Sequence, residues 1–206
     1  MLYPHRRSPL AFVAALAIGA CSDAPVAPSL ASSGPALSMA APHPSVAKFE
    51  VDYMTFTIDH HLGGVVMAQL CIERAVHEEL RALCEESLAS QSQQIEMLRA
   101  WLAEWYGIEY TGEIPTSAEQ DIRRLAELSG EEFEDEFLTE FSKHHLGIIK
   151  ESEKAVRRVY HDELRTMIAQ PIITNQSRGV VRMQTWDCEW YDDCRQGLIN
   201  QVREHL

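Results

Sequence analysis

Apolar residues recur along this chain at steps of three and four, and alternation at steps of two is nearly absent, so the pattern predicts helices and no sheet. A first helix is expected from about Val46 to Ala75. Met54, Ile58, His61/Leu62, Val65, Gln69 and Ile72 form one of its stripes; Phe56, His60, Gly63/Gly64, Met67 and Leu70/Cys71 form the one beside it. Gly63-Gly64 inside this helix costs about 1 kcal/mol per residue in propensity. Close approach of another helix, or room around a bound group, would offset that. A second helix, from about Glu78 to Tyr106, carries Leu80, Leu83, Leu88, Ile95, Leu98, Trp101, Leu102 and Trp105, and Gly107 is a good stop. After a turn at residues 111–115, Ser117-x-x-Gln120 resembles a capping box opening a short linker helix to Leu128. Ser129-x-x-Glu132 resembles another, capping a third helix that runs to about Tyr160. A fourth helix starts near His161 and meets Pro171, which removes a backbone donor and clashes with the preceding turn. A kink or break is expected there, then helix from about Asn175 to Trp190 and a last segment after Asp192. Two hairpins joined by a linker helix, each with a stripe to bury, predict an all-α four-helix bundle.

The two hairpins are related in sequence. Phe49 to Gly63 reads FEVDYMTFTIDHHLG, and Phe133 to Gly147 reads FEDEFLTEFSKHHLG, at an offset of 84 residues. The relation continues through His77-Glu78-Glu79-Leu80 against His161-Asp162-Glu163-Leu164. After one inserted residue near Pro171 it resumes as Trp101-x-x-x-Trp105-Tyr106 against Trp186-x-x-x-Trp190-Tyr191. A tandem repeat follows, one copy at about 49–107 and the other at about 133–192, within a helical domain at 46–206. Each copy places a His pair, His60-His61 or His144-His145, at the same point.

The ends alter the setting. Arg6 and Arg7 precede an apolar run, Leu10 to Ala20, too short to span a bilayer as a mature helix. The run closes as Ile18-Gly19-Ala20-Cys21, which resembles a bacterial lipobox. Residues 1–20 then read as a lipoprotein signal peptide, Cys21 as the lipidated first residue of the mature chain, and residues 21–45, rich in Ala, Pro and Ser, as a disordered tether. The lipid would anchor the chain to the membrane on the extracytoplasmic, periplasmic side of a bacterial envelope. Formal charge is −13, and −15 once Arg6 and Arg7 leave with the leader. So acidic a domain repels nucleic acid and attracts cations.

Export also bears on the cysteines. Cys71, Cys84, Cys188 and Cys194 remain, an even number in an oxidising compartment. Cys71 and Cys84 flank the turn at Val76-His77 almost symmetrically, which predicts a 71–84 bridge; a 188–194 bridge is expected beside it. Thiolate metal ligation is the alternative. Neither pair is repeated in the other copy, which favours local staples.

The pattern Phe/Tyr-x6-His-His-x6-Met-Ala, followed by Gln-x-x-x-Ile-x5-Trp-Leu, resembles the domain of unknown function 305 family, exported bacterial helical bundles of which some members are implicated in copper binding and resistance; the resemblance implies a ferritin-like bundle. Tyr53, His60, His61, Met67-Ala68, Gln91, Ile95, Trp101-Leu102 and Trp105 carry the resemblance in the first copy. Phe137, His144, His145, Gln176, Met183 and Trp186 carry it in the second. Together they cover nearly all of residues 49–191. The chain departs from the family in its methionines. The slots before the His pairs hold Phe56, Thr57, Glu140 and Phe141; the Met before Trp101 is replaced by Leu98; and Glu151 stands where the first copy has Met67.

Neutral imidazole is a common metal ligand, and thioether sulfur suits Cu(I). His60 and Met67 are two turns apart, about 10.5 Å along the helix, too far to share one ion readily. A more natural site takes one His from each copy, with His60 and His144 meeting across a pseudo-twofold axis and Glu140, one turn before His144, supplying an oxygen or orienting a ring. Adjacent His residues diverge by about 100° on a helix, so at most one of each pair faces the core. The site expected is therefore His60, His61, His144 and His145, with Met67, Met183 and Glu140 as secondary candidates, and a copper ion as ligand. The competing reading is a lipid-anchored interaction or structural module whose His residues serve packing and whose protein partner the sequence does not identify. A di-iron carboxylate site wants Glu-x-x-His, which does not occur here. No nucleophile motif, P-loop or dinucleotide fingerprint occurs either, so neither an enzyme nor an organic cofactor is expected.

Overall fold

The computed structural model describes residues 41–206. The residues expected to form the signal peptide, Cys21 and the part of the expected tether up to residue 40 lie outside the described residues. The described chain is all-α: α1 (Pro44–Arg74), α2 (Glu78–Tyr106), α3 (Thr116–Ala126), α4 (Gly130–Ala155), α5 (Asp162–Met167), a π-helix (Ile168–Asn175), α6 (Gln176–Tyr191), α7 (Gln196–Asn200) and a closing 3-10 turn (Arg203–His205). No described helix is long and apolar enough to cross a membrane. α1 pairs with α2, and α4 with α6; α1 also packs on α4, and the linker α3 lies on both. Both expected disulfides are present, Cys71–Cys84 and Cys188–Cys194.

Several local expectations are corrected. α3 starts after Pro115, and Ser129 precedes α4, but neither helix start has a side-chain cap hydrogen bond, so the two capping boxes do not form. α4 ends at Ala155 rather than near Tyr160. Pro171 interrupts the α-helix as expected but not the helical run: α5, the π-helix and α6 form one column, the fourth of the bundle. Pro171 sits inside the π-helix, whose wider turn absorbs the missing donor, and Thr174 Oγ1 donates to Ala169 O at 2.9 Å. Phe56, placed in an apolar stripe, is exposed.

The core is two apolar clusters separated by a polar waist. Tyr53, Met54 and Ile58 of α1 pack with Ile148 of α4, and with Leu164 and Ile168 of the fourth column. Met67, Ala68 and Cys71 of α1 pack instead with Phe133, Phe137 and Phe141 of α4 and Met183 of α6. The first half of α1 therefore meets the second half of α4 and the reverse, so the two helices run antiparallel. Between the clusters lie buried Thr57, His61, Gln91, Gln94, Ser142, His145 and Gln184.

Two carboxylates clasp the hairpins together. Glu134, in the acidic run that opens α4, is fully buried. It accepts from Val76 N (2.5 Å), His77 N (2.7 Å), His77 Nδ1 (2.6 Å) and Tyr191 OH (2.6 Å). Val76 and His77 lead into α2, whose N-cap residue His77 makes no side-chain capping bond to the helix, so Glu134 caps α2 from across the bundle. Glu50, equally buried on α1, does the same for α5, accepting from Tyr160 N (2.5 Å), His161 N (2.9 Å), His161 Nδ1 (2.8 Å) and Tyr106 OH. His77 stacks on Trp190 with centroids 3.8 Å apart, and His161 on Trp105 at 3.9 Å. Burial alone would raise both carboxyls. The hydrogen bonds, led by Tyr106 for Glu50 and by Tyr191 for Glu134, outweigh it and hold both below the usual range.

Candidate metal centre

The His pairs meet at the waist, where α1 crosses α4. His61 and His145 point into the core and are buried; His60 and His144 lie half-buried in the α1–α4 seam, as a 100° divergence requires. The His60 and His144 rings face each other with centroids 3.8 Å apart and planes tilted by 37°. The glycines permit this. A Cβ on Gly63 would stand 2.9 Å from Ala118 of α3; one on Gly64 would collide with Gln91 Oε1 and come within 2.8 Å of His144 Cε1. The helix propensity lost at Gly63-Gly64 is exchanged for approach of a helix and room for an imidazole.

Hydrogen bonds engage three of the four rings. His144 Nε2 donates to His60 O at 3.2 Å. His61 Nε2 donates to Gln94 Oε1 at 2.9 Å, and Gln94 Nε2 donates to Ser90 Oγ at 2.7 Å. His145 Nδ1 donates to Phe141 O at 3.0 Å. With one nitrogen donating, the other carries a lone pair: Nε2 in His145, Nδ1 in His61 and His144. The Nδ1 atoms of His60, His61 and His144 are buried with no hydrogen-bond partner, as is Gln91 Oε1. Orphaned acceptors concentrated at one level of a bundle fit a ligand that accepts lone pairs.

The rings are also neutral. Burial, aided by the neighbouring imidazoles, takes His60 well below its ordinary value and His144 to about 3. Burial takes His61 and His145 to about 4, against the opposing pull of Gln94 and of the Phe141 carbonyl. Protons therefore do not compete for these nitrogens near neutrality.

The other candidates stand apart. Met67 and Met183 are packed in the apolar cluster with Phe133, Phe137 and Phe141. Glu140 is ion-paired with Arg124 (3.2 Å) and Lys143 (2.7 Å) rather than bonded to an imidazole. It lines, with Asp121, a cavity of about 300 Å³ whose wall includes His60 and His144. A second opening, of about 280 Å³, reaches His145 and Gln91. The four His residues do not gather three ligand atoms within 4.8 Å; among the described residues only Glu153/Glu204/His205 and Asp135/Asp187/Asp193 do so. The waist as it stands therefore offers a pair of ligands more readily than a four-coordinate cage. Sequence reasoning missed Gln94 and the clasping carboxylates, whose partners are remote in sequence.

The family described as "Domain of unknown function (DUF305)" matches residues 50–187. No curated protein matches the chain. Among solved structures, CopM in the Cu(I)-bound form aligns with a TM-score of 0.62 at 20% identity, covering 69% of this chain and 97% of that one. CopM in the Cu(II)-bound form aligns with a TM-score of 0.59 at 21% identity, over 69% and 98%. A DUF305 fragment from Deinococcus radiodurans aligns with a TM-score of 0.60 at 22% identity, over 68% and 95%. At these identities the likeness establishes the fold.

Proposed function

The chain belongs to the DUF305 family, and from that premise we propose that it is a membrane-tethered, extracytoplasmic, non-catalytic protein that binds and sequesters copper at its waist. One observation carries the reading: His60 and His144, from different hairpins, are apposed at 3.8 Å as neutral rings with shielded, unpartnered Nδ1 atoms. Soft, d10 Cu(I) tolerates two nitrogen ligands, whereas Cu(II) prefers a tetragonal set that this waist does not assemble. His61 and His145, one residue along each helix, are the reserve for a third ligand. The neighbours' copper-bound forms support the choice of metal. Tethering through Cys21 rests on the lipobox-like leader.

A second reading, a structural or interaction module, is favoured by the hydrogen bonds that His61, His144 and His145 already make within the protein. Titration of the full chain with Cu(I) and Cu(II) against a competing chelator separates the two. Binding of Cu(I) at one ion per chain, abolished in His60→Ala/His144→Ala while helicity by circular dichroism persists, supports copper binding. Binding that survives the double replacement, or that never exceeds what a generally acidic surface provides, overturns it in favour of the module.

A further inference from the structure

A second group of ligand atoms lies at the far end of the fourth column. Asp135 of α4, Asp187 of α6 and Asp193, in the turn after α6, each place one carboxylate oxygen within 4.8 Å of the others. Asp187 is fully buried, and its Oδ1 has no hydrogen-bond partner; its Oδ2 accepts from Thr139 at 3.3 Å. A buried carboxylate oxygen without a donor is costly unless a cation or proton meets it. The fold nonetheless holds the three carboxylates together. The Cys188–Cys194 disulfide ties the residue after Asp187 to the residue after Asp193. Between them Asp192 turns the chain through positive φ (58°), and Asp193 N donates to Asp187 O at 3.3 Å. Arg195, paired with Asp193 at 2.5 Å, is the cation that the structure shows against this group. It leaves most of the negative charge unbalanced.

We propose that Asp135, Asp187 and Asp193 form a site for a hard divalent cation, of the Ca2+ or Mn2+ class, separate from the His waist. The donor set is all oxygen, which selects hard ions over Cu(I). Ligands on opposite sides of a Ca2+ bound at about 2.3–2.6 Å are about 5 Å apart, and the observed spacing falls within that limit. Burial, then Asp193 and Asp135, push the Asp187 carboxyl up to about 7, so without an ion it competes for a proton near neutrality. The site does not depend on the copper reading.

The test uses the full chain stripped of metal with a chelator, then titrated with Ca2+ by calorimetry and with Mn2+ by loss of the free-ion electron paramagnetic resonance signal. The expected result is one saturable ion per chain, at an affinity of roughly 10⁻⁴–10⁻³ M as in extracellular calcium modules, with a rise in Tm. Asp187→Asn should weaken binding by at least about tenfold and abolish that rise. Glu104→Gln, an exposed control, and His60→Ala/His144→Ala should leave it intact. Were Asp187→Asn not to fold, Asp193→Asn on the surface turn gives the same reading. Absence of saturable binding, or equal binding in the Asp variants and wild type, overturns the proposal and leaves Asp187 a buried protonated acid.

Discussion

Replacing Glu134 with Ala removes the acceptor that joins the two hairpins at one end of the bundle. Four donors lose their partner: Val76 N, His77 N, His77 Nδ1 and Tyr191 OH. Removing one member of a buried charged network costs about 3–5 kcal/mol, and loss of a helix cap about 1–2 kcal/mol. Val76 is exposed and the His77 side chain is 35% exposed, so water can recover part of this. The low end, about 3 kcal/mol, is therefore expected, equivalent to a fall in Tm of roughly 6–12 °C for a domain of this size. Urea unfolding followed by circular dichroism measures it. Glu50→Ala should cost a similar amount through α5. The two losses should add, because the carboxylates share no partner. A loss below about 1 kcal/mol for Glu134→Ala, the size of one ordinary hydrogen bond, would refute the claim that the carboxylate caps α2 and holds the hairpins together.

Other consequences are equally direct. Gly64→Ala drives a methyl group into Gln91 and His144 and should destabilise by about 1–3 kcal/mol while abolishing copper binding; Gly147→Ala, whose Cβ would stand 3.4 Å from His60 Nε2, should be far milder in the same assays. In metal-free protein the imidazoles take up protons below about 6.5 when unfolded but only near 4 to 3 when folded. Their contribution to stability is therefore full above pH 6.5 and declines as pH falls towards 4. Denaturant unfolding at pH 7.5, 6 and 5 should show that decline, and His61→Gln should flatten it. For the same reason Cu(I) affinity should change little between pH 7 and 5; a steep loss over that interval would point to exposed His residues as the ligands.

The architecture was legible because its signals are local. Gly107 adopts φ 65° and stops α2 where the pattern ends, and the paired His residues mark the level at which the helices cross. What escaped depends on remote partners. Glu134 sits in an acidic run that any sequence reading assigns to a helix start, and its donors lie almost 60 residues away. Pro171 carries a real local signal, a missing donor, but sequence does not distinguish a break from a widened helical turn. Asp187 reads as a polar position on an amphipathic helix until Asp135 and Asp193 are brought beside it.

The central claim is that copper is bound at the waist by His60 and His144. A crystal structure of the Cu(I)- or Ag(I)-loaded protein, with anomalous scattering recorded at the metal's absorption edge, tests it most directly. The account expects one anomalous peak at the waist within bonding distance of both imidazoles. A loaded crystal with no peak there, or with peaks confined to surface residues, would contradict it.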